Sequence, residues 1–140
     1  MSRKAGRVAA VRLACCAVLA AAAACAVAAA AHAPSAARGE EIYARCAACH
    51  ALASNRVGPK HCGLFGRKAG SVPGFDYSSA MKNAHIVWNA QTLDRFLADP
   101  LKMVPGTAMT YAGVTDAGER ADLITYLQQA GRSAECTASR

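Results

Sequence analysis

The chain has 140 residues, of which 54% are hydrophobic, with sixteen Lys and Arg side chains against nine Asp and Glu. That length suits one domain behind a leader. The basic excess does not mark a nucleic-acid binder: Arg3, Lys4, Arg7 and Arg12 are a quarter of the Lys and Arg side chains and fall within the first dozen positions, whereas nucleic acid needs Lys and Arg clustered on one folded face.

The N-terminus reads as an export signal. Ser2-Arg3-Lys4-Ala5-Gly6-Arg7 is basic, residues 13–31 are apolar and mostly alanine, and Ala31-His32-Ala33 is an Ala-x-Ala site. This is the layout of a secretory signal peptide. Residues 1–33 are therefore expected to be a cleaved leader, and 34–140 a single domain. Cleavage after Ala33 would leave Pro34 first, which hinders a peptidase; cuts after Ala31 or near Ala37 fit as well. An uncleaved anchor is the alternative, because the apolar run nearly spans a bilayer. Alanine is only weakly apolar, however, and no basic stop-transfer cluster follows. Cleavage leaves twelve basic residues against nine acidic ones, and removes Cys15, Cys16 and Cys25.

A first helix is predicted over residues 37–49, with Ser35 as its cap and Glu40 and Glu41 in its first turn. Ile42, Tyr43 and Cys46 would share a face. At its end stands Cys46-Ala47-Ala48-Cys49-His50. A C-x-x-C-H run is the attachment signature of a c-type haem. Thiols three apart on one turn reach two vinyl groups of the same porphyrin, and the following histidine can ligate the iron. A zinc half-site or a thioredoxin-like pair are the rivals. The first wants a second short-spaced ligand pair and the second a βαβ pattern, and neither is visible.

Residues 51–75 carry Gly58-Pro59, Gly63, Gly66, Gly70 and Pro73-Gly74, too dense a punctuation for long elements. A loop around the haem edge is expected there, then a short helix over 78–84. Asn89 should cap a clearer helix with Leu93, Phe96 and Leu97 inward, ending before Pro100. Residues 101–114 read as a second loop. The last helix should start near Asp116, with Asp116 and Glu119 as a capping-box-like pair, Leu123, Ile124 and Leu127 as its apolar stripe, and Gly131 as its stop. The tail to Arg140 is polar. The class is all-α.

Two cysteines remain outside the motif. Exposed thiols pair in an oxidising compartment, so a disulfide between Cys62 and Cys136 is predicted; two separately buried thiols are the alternative. The ligand opposite His50 decides the function. Two protein ligands leave no vacancy and favour electron transfer, whereas an open face binds gases or peroxide. His32, His61 and His85 are nitrogen candidates, and Met81, Met103 and Met109 are sulfur candidates. Met109 follows Val104-Pro105-Gly106-Thr107-Ala108, a turn that can hold a flexible side chain in place; Met103 is its local rival.

Taken in order, the Cys-Ala-Ala-Cys-His run, Gly58-Pro59, Gly63-Leu64-Phe65-Gly66-Arg67, Gly74-Phe75-Asp76-Tyr77, Trp88, Pro105-Gly106-Thr107-Ala108-Met109 and Leu123-Ile124-Thr125-Tyr126-Leu127 resemble a class I cytochrome c of the bacterial type, close to mitochondrial cytochrome c and cytochrome c2. The resemblance spans residues 39–131. It implies the class I fold, with three main helices and loops wrapped around one covalently bound haem c. It implies thioether bonds from Cys46 and Cys49, and axial ligation by His50 and Met109. It also implies a hydrogen bond from His50 to the Pro59 carbonyl, and Arg67, Tyr77, Ser78, Trp88 and Thr107 around the propionates. Gly39 and Tyr126 would mark where the first and last helices cross. Phe96 stands where an aromatic hydroxyl is common, Met81 where asparagine is usual, and Ala108 and Leu101 where lysines are frequent.

The function implied is a one-electron carrier and not an enzyme, exported to the periplasm and soluble after cleavage, acting as a monomer. Its expected partners are membrane redox complexes, such as a bc1-type donor and a terminal oxidase, peroxidase or reaction-centre acceptor; nucleic acid is not among them. Arg45, Lys60, Lys68, Lys82 and Lys102 could form a basic docking rim. A haem peroxidase or ligand sensor with an open sixth position, and a membrane-anchored cytochrome subunit, are the alternatives.

Overall fold

The computed structural model describes residues 33–138, so the leader read over 1–33 lies outside the described residues except for Ala33. The described residues contain six helices: α1 (Ala36–Tyr43), α2 (Ser79–Lys82), α3 (Ala90–Ala98), α4 (Pro100–Met103), α5 (Ala117–Ala130) and α6 (Ala134–Ala138). Among the described residues there is no strand, and Lys68 and Val87 make an isolated antiparallel bridge. The class is all-α, as the sequence predicts.

Ser35 caps α1 by accepting from the Arg38 amide. The regular helix stops at Tyr43, six residues short of the predicted end. Beyond it, bonds from Arg45 to Ile42 and from Cys46 to Tyr43 are of the tighter i to i−3 kind, alternating with i to i−4 bonds at Ala47 and His50. Because α1 begins at Ala36, Glu40 and Glu41 fall past its first turn, and no acidic residue stands there. The first-turn charge is Arg38, which reaches across to Asp122 on α5.

Ser78 caps α2, and Asn89 caps α3 in a full capping box with Thr92. That box was not legible from the sequence, because Thr92 replaces the usual Glu or Gln. Pro100 ends α3 as predicted, yet it also begins α4, where the sequence suggested loop. Proline lacks the amide that a first helical position leaves unpaired, and Asp99 caps the new helix by accepting from Lys102. Asp116 caps α5 by accepting from the Glu119 amide at 2.8 Å. The Glu119 carboxylate does not close the box; it makes two bonds to Arg45 instead. Gly131 ends α5 in right-handed geometry, so its special freedom is not used. The tail read as merely polar then forms α6, which carries Cys136.

The core gathers Ile42 and Tyr43 of α1, Leu93, Phe96 and Leu97 of α3, and Leu123, Ile124 and Leu127 of α5, with Leu64, Met81, Trp88, Val104 and Val114 from between. Leu123 is 1% exposed, and burying such a side chain contributes about 1.5–3 kcal/mol. The α3–α5 contact is held at its rim by Arg120 and Asp94 at 2.7 Å, and the Val114 amide ties the segment before α5 to the Leu97 carbonyl of α3.

Helices α1 and α5 meet at Gly39, where the resemblance places the crossing. A methyl group there would strike the Asp122 carbonyl and the Tyr126 Cβ. Backbone cannot yield as a flexible side chain can. Gly39→Ala is therefore expected to destabilise the fold by about 1–3 kcal/mol, read as a lower urea midpoint. An unchanged midpoint would show that the crossing can open without cost. Asp122 is buried beside it, accepting from the Ser35 amide at 2.6 Å and from Arg38 Nε at 2.8 Å.

Candidate functional site

The helices leave a cavity between them, and the motif turn forms one of its walls. After α1 the chain makes one more turn, in which the Cys49 and His50 amides both bond the Cys46 carbonyl at 3.1 and 2.9 Å. Cys46, Cys49 and His50 line the same cavity. Both thiols are free, Cys46 half-buried and Cys49 exposed. Burial pushes the Cys46 thiol up.

The next loop folds back over this turn. The Gly58 amide bonds the Cys49 carbonyl at 2.7 Å, and Arg56 reaches the Ala47 carbonyl. The loop then places the Pro59 carbonyl 2.8 Å from His50 Nδ1. A carbonyl can only accept, so Nδ1 carries the proton and Nε2 keeps its lone pair for a ligand. Burial holds His50 below the usual histidine range, with the Pro59 bond opposing, which keeps the ring neutral. A methyl at Gly58 would run into the His50 ring, so this approach needs glycine.

Arg67 follows in the same loop. It donates from Nη1 to the Cys62 carbonyl at 3.0 Å and from Nη2 to the Lys60 carbonyl at 2.9 Å. Its Nε is buried without a partner. The Arg67 carbonyl accepts from the Trp88 amide, and the Gly66 amide donates to the Trp88 carbonyl, which pairs the two segments. Tyr77, Ser78, Trp88 and Thr107 line the cavity with them. Ser78 Oγ accepts from the Met81 amide, and Thr107 Oγ1 accepts from the Met109 amide at 3.3 Å. Each hydroxyl thus keeps a proton to donate. Burial raises Tyr77 above the usual phenol range, with Arg67 opposing, so it too stays protonated.

The sulfur candidates separate by position. Met109 and Met81 line the cavity, whereas Met103 packs against the core outside that lining. Of the histidine candidates, His85 is off the lining and His32 lies outside the described residues. His61 lines the cavity but stacks on His50, with ring centroids 4.4 Å apart. Burial, with His50 and Arg67 nearby, lowers His61 to about 3. Cys62 and Cys136 are bonded, tying this loop to α6. The His61 contact and the Thr107 support of Met109 are not legible in the sequence. A histidine in a Gly- and Pro-rich loop gives no sign of burial, and a threonine in a turn gives none of its partner.

Two thiols on one turn, a neutral imidazole with a free nitrogen, cavity-lining sulfurs and an orphaned buried guanidinium nitrogen fit a haem with its anionic propionates. Among the described residues no three His, Cys, Asp or Glu side chains gather, so zinc has no ligand set there.

This is the geometry of a cytochrome. The family model for cytochrome c matches residues 36–131. Cytochrome c type-1 of Ascaris suum is 47% identical over 94 residues, covering 65% of this chain and 84% of its own. Cytochrome c2 of Blastochloris viridis is 44% identical over 100 residues, covering 69% and 79%. The solved structure of cytochrome cH from Methylobacterium extorquens superposes with a TM-score of 0.66 at 42% identity, covering 68% of this chain and 98% of that one. The chain belongs to the cytochrome c family. It is a class I cytochrome c, a haem-based electron carrier whose cofactor is covalently bound haem c with its iron.

Proposed function

We propose that the protein is a periplasmic one-electron shuttle whose haem is held by Cys46 and Cys49 and ligated by His50 and Met109. The observation that carries this is the His50 bond to the Pro59 carbonyl at 2.8 Å, which leaves Nε2 free in a cavity that Met109 also lines. When bound, the haem supplies a ferric/ferrous couple. The chain's part is to keep both ligands in place through the cycle, so that little rearrangement accompanies transfer. Pro59 makes His50 more basic by accepting from it. Thr107 holds the Met109 backbone, and a sulfur ligand favours the ferrous state and so raises the potential. Arg67 offers its unpartnered Nε to a propionate, with Tyr77, Ser78 and Thr107 as further donors and Trp88 as packing beside them.

Residues 1–33 act as a cleaved leader and 34–140 as the mature domain, a soluble monomer that docks transiently. No described helix is long and apolar enough to cross a membrane. A bc1-type donor and a terminal oxidase, peroxidase or reaction-centre acceptor are the partner classes. Lys60, Lys68 and Lys102 supply the basic rim. Arg45 is engaged with Glu119 at 2.7 Å and Lys82 sits 3.3 Å from Asp76, so their charges are partly offset.

An optical spectrum of the protein purified from its native cells tests the ligand set. A sharp reduced c-type band with a weak far-red sulfur-to-iron band in the ferric form is expected. Water in the sixth position at neutral pH would rule out the carrier assignment and favour an open-site haem protein.

A further inference from the structure

The loop that delivers the Pro59 carbonyl also delivers His61, a side chain for which the carrier chemistry has no use. Its ring and that of His50 stack 4.4 Å apart with their planes 17° from parallel. His61 itself has little freedom. The hydroxyl of buried Tyr43 shares a hydrogen bond with His61 Nδ1 at 3.1 Å, and the Tyr43 ring meets His61 edge-on at 5.6 Å. Its amide lies within bonding distance of the Ala51 and Leu52 carbonyls, and the next residue is bonded to Cys136. His50 is less constrained by its single hydrogen bond. The Pro59 carbonyl fixes where Nδ1 points but leaves the ring able to tilt about that line. A flat ring laid along one face removes the tilt, and the backbone at Gly58 closes on the ring as well.

We propose that His61 is a positioning residue for His50: its ring sets the plane of the imidazole, and the Tyr43 hydroxyl holds His61 in that register. This rests on the assignment of His50 as an iron ligand. Groups beyond the ligands commonly fix ligand orientation. Here the agent is a ring face, which acts in addition to the carbonyl that the fold already supplies. The plane of an axial imidazole governs how unpaired spin is distributed over the porphyrin of a low-spin ferric haem. The haem methyl proton shifts of the ferric protein therefore report it, independently of electron-transfer rate.

The test compares those shifts in the ferric holoprotein with His61→Leu, His61→Phe and Tyr43→Phe. Leucine keeps bulk without a plane; phenylalanine keeps the plane without the hydrogen bond. His61→Leu is expected to change the spread or order of the methyl shifts, and His61→Phe, which keeps a ring face but loses its tie to Tyr43, to change them less. An unchanged pattern in His61→Leu, or equal changes in His61→Leu and His61→Phe, would overturn the proposal. If His61→Leu does not fold, Tyr43→Phe decides: a changed pattern supports the proposal and a native one overturns it. Parent protein without low-spin ferric haem would overturn the ligand assignment along with the proposal. A low-spin parent with an unaffected His61→Leu variant would overturn the proposal alone.

Discussion

Replacing Met109 with alanine is expected to abolish the far-red ferric band and to lower the reduction potential. Axial-ligand identity spans about 0.8 V across haem proteins, so loss of a sulfur that favours the ferrous state should move the potential by at least ~0.1 V. At about 59 mV per tenfold for one electron, that is roughly fiftyfold in the redox equilibrium. Surface charge changes cannot match this, because they act through screened solvent. The comparison that matters is with the other sulfurs. Met81 is buried and lines the same cavity, whereas Met103 stands outside that lining. Met81→Ala should cost core stability, on the order of 2–5 kcal/mol, yet keep the band. Met103→Ala should keep it too. A redox titration with a ferric spectrum on each variant separates the three. A band that survives in Met109→Ala and disappears in Met81→Ala would transfer the ligand role to Met81.

Removing the Cys62–Cys136 bond, by replacing both with serine, is expected to give a large loss of stability. The bond closes a span of 74 residues, from the loop beside His50 to α6. In the chain-entropy model such a closure restricts the unfolded chain by about 4 kcal/mol. That is a large share of the 5–15 kcal/mol typical of a small domain. The folded state suffers as well. Cys62 and Cys136 are both buried, so serine hydroxyls would need new partners there. The Cys62 carbonyl accepts from Arg67 and its amide donates to Leu52, so loosening this point also loosens the cavity wall. Guanidinium unfolding of the paired and serine forms measures the difference. A shift under about 1 kcal/mol would mean that residual structure in the unfolded chain already supplies the restraint.

Much of the fold is written locally and so could be read in advance. Ser35, Asn89 and Asp116 each cap the helix expected of them, because capping is a contact over three residues. Leu93, Phe96, Leu97, Leu123, Ile124 and Leu127 are buried as their spacing predicts. The misreadings arise where a residue has two uses. Pro100 ends one helix and starts another, and the Glu119 carboxylate leaves its cap for Arg45, 74 positions away. The first helix shortens to Tyr43, while the motif beyond it is held in mixed turns by the loop folded over it.

The sequence by itself determined the covalent chemistry: a C-x-x-C-H run for attaching the haem, and enough helix to enclose one porphyrin. Those are matters of spacing and composition along the chain. Only the tertiary structure decided that His61 lies flat against the His50 ring, and that Met81 shares the cavity with Met109 while Met103 does not. The physical reason is that a ring's tautomer and tilt depend on atoms brought within a few ångströms by loops. Loop paths follow from packing and from the Cys62–Cys136 bond, and neither leaves a periodic mark in the chain.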